Sequence, residues 1–161
     1  MVTVAEFRHL DLPEDAQYEL HEGKVVRERF PNVLYRRVQN RILSRLAAAF
    51  GPKSGAMPVL ELPFESGENV RSADIGVVSR SRVESATRAW LDGAPELVVE
   101  VVSPSCGYAE LTAYKRLCFG AGCESFWWST LPRRPSRCTK TATVRSVRTR
   151  APRRSRSKSR A

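Results

Sequence analysis

Apolar residues in the first third of the chain change from an alternating pattern to a helical one. Residues 18–29 place Glu-Gly between extended-type residues, which predicts a β-hairpin. After Asn32, a good N-cap residue, apolar side chains recur at helical spacing while four arginines fall off that stripe. The pattern therefore predicts a helix through about Phe50, where a Gly-Pro pair ends it.

The remainder of the chain alternates between strand and helix patterns. In chain order it predicts two strands at Ala56–Phe64 and Asn69–Val78, a short helix at Ser81–Leu91, a strand at Glu96–Ser103, a helix at Tyr108–Phe119 and a strand beginning with Glu124–Trp128. The apolar run at 96–103 is nearly continuous, so both faces of that strand should be covered. These elements predict an α/β fold with a mixed central sheet flanked by helices.

Charge divides the 161 residues into two unequal parts. Residues 132–161 hold 12 Lys or Arg and no acid, and the other 15 basic and 17 acidic residues give residues 1–131 a net charge of −2. The overall charge of +10 therefore describes the C-terminal segment, for which we predict a disordered basic tail. No apolar run approaches the ~18 residues of a membrane span, and the N-terminus lacks the charged segment followed by an apolar one that is typical of a secretion signal. We expect a cytoplasmic protein with reduced cysteines.

Two acids interrupt predicted buried strands. Glu100 lies within the apolar run at 96–103, and Asp74 lies among apolar residues of the strand at 69–78. A buried carboxylate costs several kcal/mol unless it is paired, hydrogen-bonded or bound to a metal. If the strands are neighbours, both side chains can converge on Mg²⁺, which prefers oxygen ligands. The alternative for either acid is a strand end or an arginine partner.

Lys115 and Glu19 are further candidates for this site. Lys115 borders the apolar stripe of its predicted helix, where it could orient a water molecule or stabilise charge on a phosphate. Its alternative role is to cover apolar surface with its stem while the ammonium reaches water. Spacing alone makes Glu19 a solvated hairpin acid.

Several segments, in this order, resemble the Uma-two family of restriction endonucleases, part of the PD-(D/E)xK nuclease superfamily. They are YELHEG at 18–23, RFPNVLYRRVQNRIL at 29–43, SADIGVV at 72–78, LVVEVVSPS at 97–105, and KRLCF and GCESFW between 115 and 127. The resemblance covers roughly residues 5–128. It implies a restriction-endonuclease-like αβββαβ core and Mg²⁺-dependent phosphodiester cleavage. It also implies Asp74 and Glu100 as metal ligands, with Glu19 as an accessory acid.

The chain departs from the family motif at several positions. Ala73 replaces the proline, and Val102 replaces the lysine expected two residues after the glutamate. The resemblance suggests that Lys115 takes over the role of that lysine. Tyr35 and Cys106 stand where histidine and aspartate are common.

The sequence after Trp127 suggests a shifted reading frame. The family continues there as Val-Val-Asp, whereas this chain reads Trp-Ser-Thr-Leu. One extra G after the Trp127 codon permits Trp-Val-Val-Asp-Leu, and the same shift permits Val-Tyr-Lys-Asp-Gly-His from residue 138 onward. We therefore expect a nuclease-like domain at 1–131 whose last strand is truncated, with no following hairpin and an exposed sheet edge. The competing interpretation is a genuine basic tail that binds nucleic acid.

Together these features predict a Mg²⁺-dependent endonuclease-like protein, and the shifted frame predicts that this chain is a defective copy of it. Asp74, Glu100 and Lys115 are its expected catalytic residues, and DNA is its expected partner, with no membrane contact and with homodimerisation left open. The alternative is a non-catalytic nucleic-acid-binding protein that acts through its basic tail.

Overall fold

A mixed sheet forms the frame of the protein. The computed structural model describes residues 1–28, 30–86, 89–102 and 107–131, and the backbone of residues 144–148. The helices are α1 (Val4–Phe7), α2 (Val33–Ala49), α3 (Arg80–Glu84) and α4 (Tyr108–Gly120). The strands are β1 (Gln17–His21), β2 (Lys24–Glu28), β3 (Ala56–Ser66), β4 (Asn69–Ser79), β5 (Leu91–Asp92), β6 (Leu97–Val102), β7 (Ser125–Thr130) and β8 (Val144–Arg148).

Strand β4 is central, and its two edges differ. One edge pairs antiparallel with β3 along the whole strand. The other edge pairs with β1 at Val70 and with β6 from Ile75 to Val77, both antiparallel. Between those two contacts, residues 71–74 have no ladder partner on this edge among the described residues. The sheet continues from β6 to β7 in parallel, and β5 pairs parallel with β3.

Apolar side chains fill three clusters around this sheet. The cluster on the α4 side includes Phe64, Val98, Tyr114, Cys118 and Phe126. The cluster on the α2 side includes Leu46, Ile75, Val77, Leu97 and Val99, and a third near the N-terminus joins Phe7, Leu20 and Val70. Because consecutive residues of β6 enter opposite clusters, both of its faces are buried, as its continuous apolar run predicted.

Most predicted elements are confirmed, and local chemistry explains their ends. The Asn32 side chain caps α2 by accepting a hydrogen bond from the Tyr35 amide at 3.0 Å. Gly67, with φ +57, makes the turn between β3 and β4 in the left-handed conformation that glycine tolerates best. The mixed sheet with flanking helices also matches the predicted fold class.

The helix predicted at Ser81–Leu91 is wrong over its second half. Helix α3 ends at Glu84, and Leu91 instead begins strand β5 beside β3. Leu91 is buried, so its packing outweighs a weak helical pattern. The Arg82 side chain then holds the following turn by donating to the carbonyls of Asp92 at 2.8 Å and Ala94 at 3.0 Å.

The C-terminal expectations are only partly covered by the structure. Of residues 132–161, only Val144–Arg148 belongs to the described part of the chain, and its backbone forms β8. Strand β8 pairs antiparallel with β7, so the expectation of a missing hairpin and an exposed β7 edge is wrong for these residues. Within the described ranges, none of the helices has the length and apolar character needed to cross a membrane.

Candidate active site

At the gap between β1 and β6, carboxylates take the place of a neighbouring strand. The Ser72 amide donates to Oε1 of Glu19 at 2.8 Å, and the Asp74 amide donates to Oε1 of Glu100 at 3.3 Å. From β6, the Val101 amide donates to Oδ2 of Asp74 at 2.6 Å. These bonds satisfy backbone donors that would otherwise be buried without a partner. The three acids singled out in the sequence therefore meet at one opening.

The strand register explains why Asp74 and Glu100 come together. Ile75 pairs with Val99, so the next position along the two antiparallel strands places Asp74 opposite Glu100, where the ladder ends. The predicted proximity of the two acids is thus a feature of the structure. Their role as metal ligands stays a prediction.

Asp74 lies in a polar pocket formed largely by α2. The Tyr35 hydroxyl donates to its Oδ1, and the fully buried Gln39 side chain donates to its backbone carbonyl at 3.0 Å. Burial raises the pKa of Asp74 to about 6, although hydrogen bonds from Tyr35 and Val101 act in the opposite direction. Burial, followed by the charge of Asp74, also raises the pKa of Tyr35 well above its ordinary value, so Tyr35 remains a hydroxyl donor.

Glu100 is the less favourably placed of the two acids. Burial, followed by the negative charge of Asp74, raises its pKa well above the usual range. On the adjacent helix α4, burial and then the charge of Glu100 raise the pKa values of Tyr114 and Cys118. A charged Glu100 therefore requires compensation from a cation.

Glu19 already has such a cation. Its Oε2 accepts hydrogen bonds from Nε of Arg71 at 2.7 Å and from the His21 ring at 2.6 Å. Burial acts to raise the pKa of Glu19, but His21, Arg71 and the Ser72 amide together hold it below the usual range. The Arg71 guanidinium also lies over the Tyr114 ring, 4.4 Å from its centroid. The prediction of a solvated hairpin acid is wrong, because Glu19 is buried.

These groups line a cavity of about 650 Å³. Its acidic lining residues are Glu19, Glu28, Glu61, Asp74, Glu100 and Glu110, and its basic ones are Arg27 and Arg71. Among the described lining residues the six acids outnumber the two cations, which favours the binding of positive ions.

Lys115 is not among the residues that line this cavity. Helix α4 contributes Glu110, Leu111 and Tyr114 instead, and Lys115 is partly exposed. Arg71 instead is the basic residue that bonds Glu19 in the cavity, and the sequence reasoning missed it. A charged residue three positions before Asp74 in a buried strand was the available signal.

Other site residues also escaped the sequence reasoning. Gln39 is a polar residue on the apolar stripe of α2, which could have marked it as a buried hydrogen-bonding group. Glu61 and Tyr114 line the cavity, but no local pattern distinguished them from surface and core residues. Cys106 lies outside the described residues.

A second group of possible metal ligands borders the cavity. One ligand atom from each of Glu19, His21 and Glu28 lies within 4.8 Å of the other two. Burial and then the charge of Glu19 raise the pKa of Glu28. Because Glu19 already bonds Arg71, this group is secondary to the pair on β4 and β6.

The fold and the site together define an α/β protein of the restriction-endonuclease class, with acidic residues clustered at a gap in its sheet. A family model described as "Putative restriction endonuclease" matches residues 4–152. The chain therefore belongs to the Uma2 family.

A solved structure supports the same assignment of fold. It is described as a "putative nuclease belonging to DUF820" from Anabaena variabilis. The two proteins are 25% identical, with a TM-score of 0.68, and the match covers 81% of this chain and 74% of the other. No curated protein matches this chain. The nuclease-like class thus rests on both the family and a solved fold.

Proposed function

We propose that this protein is a Mg²⁺-dependent endonuclease that hydrolyses phosphodiester bonds in DNA. The observation that carries the proposal is the meeting of Asp74 and Glu100 at the gap in the sheet, with Glu19 in the same cavity. Membership of the Uma2 family and the nuclease-like solved structure support a nucleic-acid substrate.

The side chains at the gap fit a hard divalent cation. Asp74 and Glu100 offer carboxylate oxygens, the ligands that Mg²⁺ prefers, and neither forms an ion pair with a described residue. They would hold the ion, with Glu19 as an accessory acid. When bound, Mg²⁺ supplies Lewis-acid activation of the phosphate and of a water molecule.

The chain's own residues would position the reacting groups. The Val101 amide and the Tyr35 hydroxyl orient the Asp74 carboxylate, and the Asp74 amide orients that of Glu100. Arg71, held by Glu19, places positive charge beside the cavity, where it would attract a phosphate.

Lys115 remains the residue that we propose to assist the attacking water. It lies one helical turn after the cavity-lining Leu111, so reorientation of its flexible side chain could bring the ammonium towards the acids. The adjacent Arg116 is exposed and provides a matched control. Lys115→Met should reduce cleavage by roughly 10²-fold or more, the lower end of the ~10²–10⁴-fold range for general acid–base groups, and Arg116→Met should not. Equal activity in the two variants would remove Lys115 from the reaction.

Glu100→Gln tests the proposal as a whole. Cleavage of supercoiled plasmid is measured against Mg²⁺ concentration, with Glu124→Gln as the control because Glu124 is an exposed acid outside the cavity. The amide retains an oxygen that accepts the Asp74 amide hydrogen bond but is a poorer metal ligand. We expect cleavage to disappear in Glu100→Gln alone. Undiminished cleavage would exclude Glu100 from the site.

The same experiment separates the alternative function. A protein that binds nucleic acid only through the basic residues of 132–161 would still bind DNA, and none of its variants would show Mg²⁺-dependent cleavage. Deleting that segment is a poor test, because it would also remove β8.

We also propose that the chain is a defective copy, with a shifted frame after about Trp127. The return of Val-Val-Asp upon insertion of one base supports this idea. Restoring the frame should raise the thermal unfolding midpoint and increase cleavage. Equal midpoints would contradict a folding defect, and intact related loci carrying this same tail would contradict the deletion.

A further inference from the structure

Glu61 has a backbone conformation that is unusual for its residue type. Its φ is +49, in the left-handed region, and among the described non-glycine residues only Glu22 shares a positive φ. Glu22 lies in the turn between β1 and β2, where such a conformation is common, whereas Glu61 lies inside strand β3. A positive φ within a strand is costly for a residue with a Cβ atom, and it persists only where the surroundings impose it.

The side-chain alternation of the sheet reverses at Glu61. Leu60 packs with the cluster on the α2 side, whereas Leu62, two residues later, packs with the cluster on the α4 side. On the paired strand, Ile75 packs on the α2 side and Ala73 on the α4 side. In a regular strand, residues two apart would face the same side. The reversal is therefore shared by both strands.

Asp74 lies at the reversal on β4. The pairing of Leu60 with Ile75 and of Leu62 with Ala73 places Glu61 opposite Asp74 in the register. From this position, Asp74 contacts α2 through Tyr35 and β6 through the Val101 amide. One carboxylate thus contacts both α2 and β6.

Polar contacts from two other elements hold Glu61. Its carboxylate forms an ion pair with Arg36 of α2 and accepts a hydrogen bond from the Gln17 side chain of β1 at 2.9 Å. Arg36 also donates to the buried Gln39, which in turn bonds the Asp74 carbonyl. The residues around the reversal therefore form one connected polar network.

We infer that Glu61 is a positioning residue whose left-handed backbone conformation aims Asp74 into the cavity. The inference rests on the proposed function where it concerns a metal ion, and on geometry alone where it concerns the orientation of Asp74. Glu61 contributes through its backbone conformation and does not act as a metal ligand.

Three substitutions at Glu61 distinguish the effect of its backbone conformation from the effect of its carboxylate. Asn and Gly tolerate a positive φ and Ala does not, while all three remove the carboxylate. Calorimetric titration of the full chain with Mg²⁺ should show affinity about 10- to 100-fold lower in Glu61→Ala, the usual effect of losing a group that orients a metal ligand. Glu61→Asn and Glu61→Gly should remain closer to the unaltered protein. Glu22→Ala controls for loss of an acid at a positive φ outside the cavity.

Hydrogen exchange in metal-free protein gives a second, independent measurement. The Val101 amide should be protected in the unaltered chain, in Glu61→Asn and in Glu22→Ala, and should exchange faster in Glu61→Ala, because it donates to Asp74. An equal loss of Val101 protection and of Mg²⁺ affinity in the Ala, Asn and Gly variants would overturn the inference, because the carboxylate of Glu61 would then be the group that orients Asp74. Unchanged behaviour in Glu61→Ala would also overturn it.

These outcomes remain distinct from failure of the proposed function. If the unaltered protein binds no Mg²⁺, the metal role fails, and Val101 exchange still tests the orientation of Asp74. If Glu61→Ala does not fold, Glu61→Asn decides: protection like that of the unaltered chain supports the inference, and its loss refutes it.

Discussion

Neutralising Asp74 should make the metal-free protein more stable at neutral pH. Folding raises the pKa of Asp74 from its usual 3.8 to about 6, chiefly because of burial. The pKa of Asp74 thus rises by slightly more than two. At ~1.4 kcal/mol for each pKa unit, this rise corresponds to about 3 kcal/mol in the free energy of unfolding. Because the folded state binds the proton more tightly, this stabilising contribution is fully present below pH 3.8 and is lost as pH rises through about 6.

Asp74→Asn should remove this pH dependence and preserve the local hydrogen bonds. The Asn oxygen can accept from the Val101 amide, and its NH₂ group can donate to the Tyr35 hydroxyl oxygen. The variant also removes the charge that contributes to the raised pKa of Glu100. The difference in unfolding free energy between variant and unaltered chain should grow from near zero at pH 4 to about 3 kcal/mol at pH 8.

Urea denaturation in EDTA across this pH range measures the difference, with Asp11→Asn as an exposed-acid control. Adding Mg²⁺ at 100 times its Kd should stabilise the unaltered protein by about 2.7 kcal/mol and have little effect on Asp74→Asn. A stability difference that does not change with pH would refute our account of Asp74 as a carboxylate that is costly to ionise.

Two further predictions concern stability. Arg71→Met should destabilise the protein by about 3–5 kcal/mol because it leaves the buried Glu19 without its cation. Chemical denaturation of the double variant, Arg71→Met with Glu19→Gln, should show that much of that stability is recovered. If the loss of stability in the double variant equals the sum of the two single losses, the two side chains are not directly coupled. Gly76→Ala should cost about 1–3 kcal/mol, because a Cβ there would come within 2.6 Å of the Leu62 side chain. Gly51→Ala, which meets nothing within 4 Å, is the control, and equal unfolding midpoints would contradict the packing argument.

The sequence predicted those parts of the fold that depend on local chemistry. Asn32, a capping residue, marked the start of α2, and the Ser-Gly turn marked the hairpin of β3 and β4. The continuous apolar run around Glu100 correctly predicted a strand buried on both faces. Strand β5 was missed because two residues beside β3 have no periodicity of their own.

The site was predictable only as far as its acids interrupt apolar strands. That signal identified Asp74 and Glu100, and the register then brought them together. Arg71 could not be assigned a partner, because its contact with Glu19 spans 52 positions along the chain. The reversal at Glu61 was equally hidden, since a glutamate in a strand carries no sequence mark of a left-handed backbone.

Hydrogen bonding alone does not explain why the gap in the sheet holds acids. Asn and Gln side chains also offer oxygens that could accept from the Ser72, Asp74 and Val101 amides, and burying them avoids the cost of burying a charge. Arg71 offsets the charge of Glu19, but Asp74 and Glu100 have no ion-pair partner in the described part of the chain. Their burial raises both pKa values, which shows that the metal-free fold disfavours the ionised pair. A divalent cation would reverse that preference. The use of two carboxylates, where two amides would suffice to accept the backbone hydrogen bonds, is therefore the physical reason for the metal site that we propose at this gap.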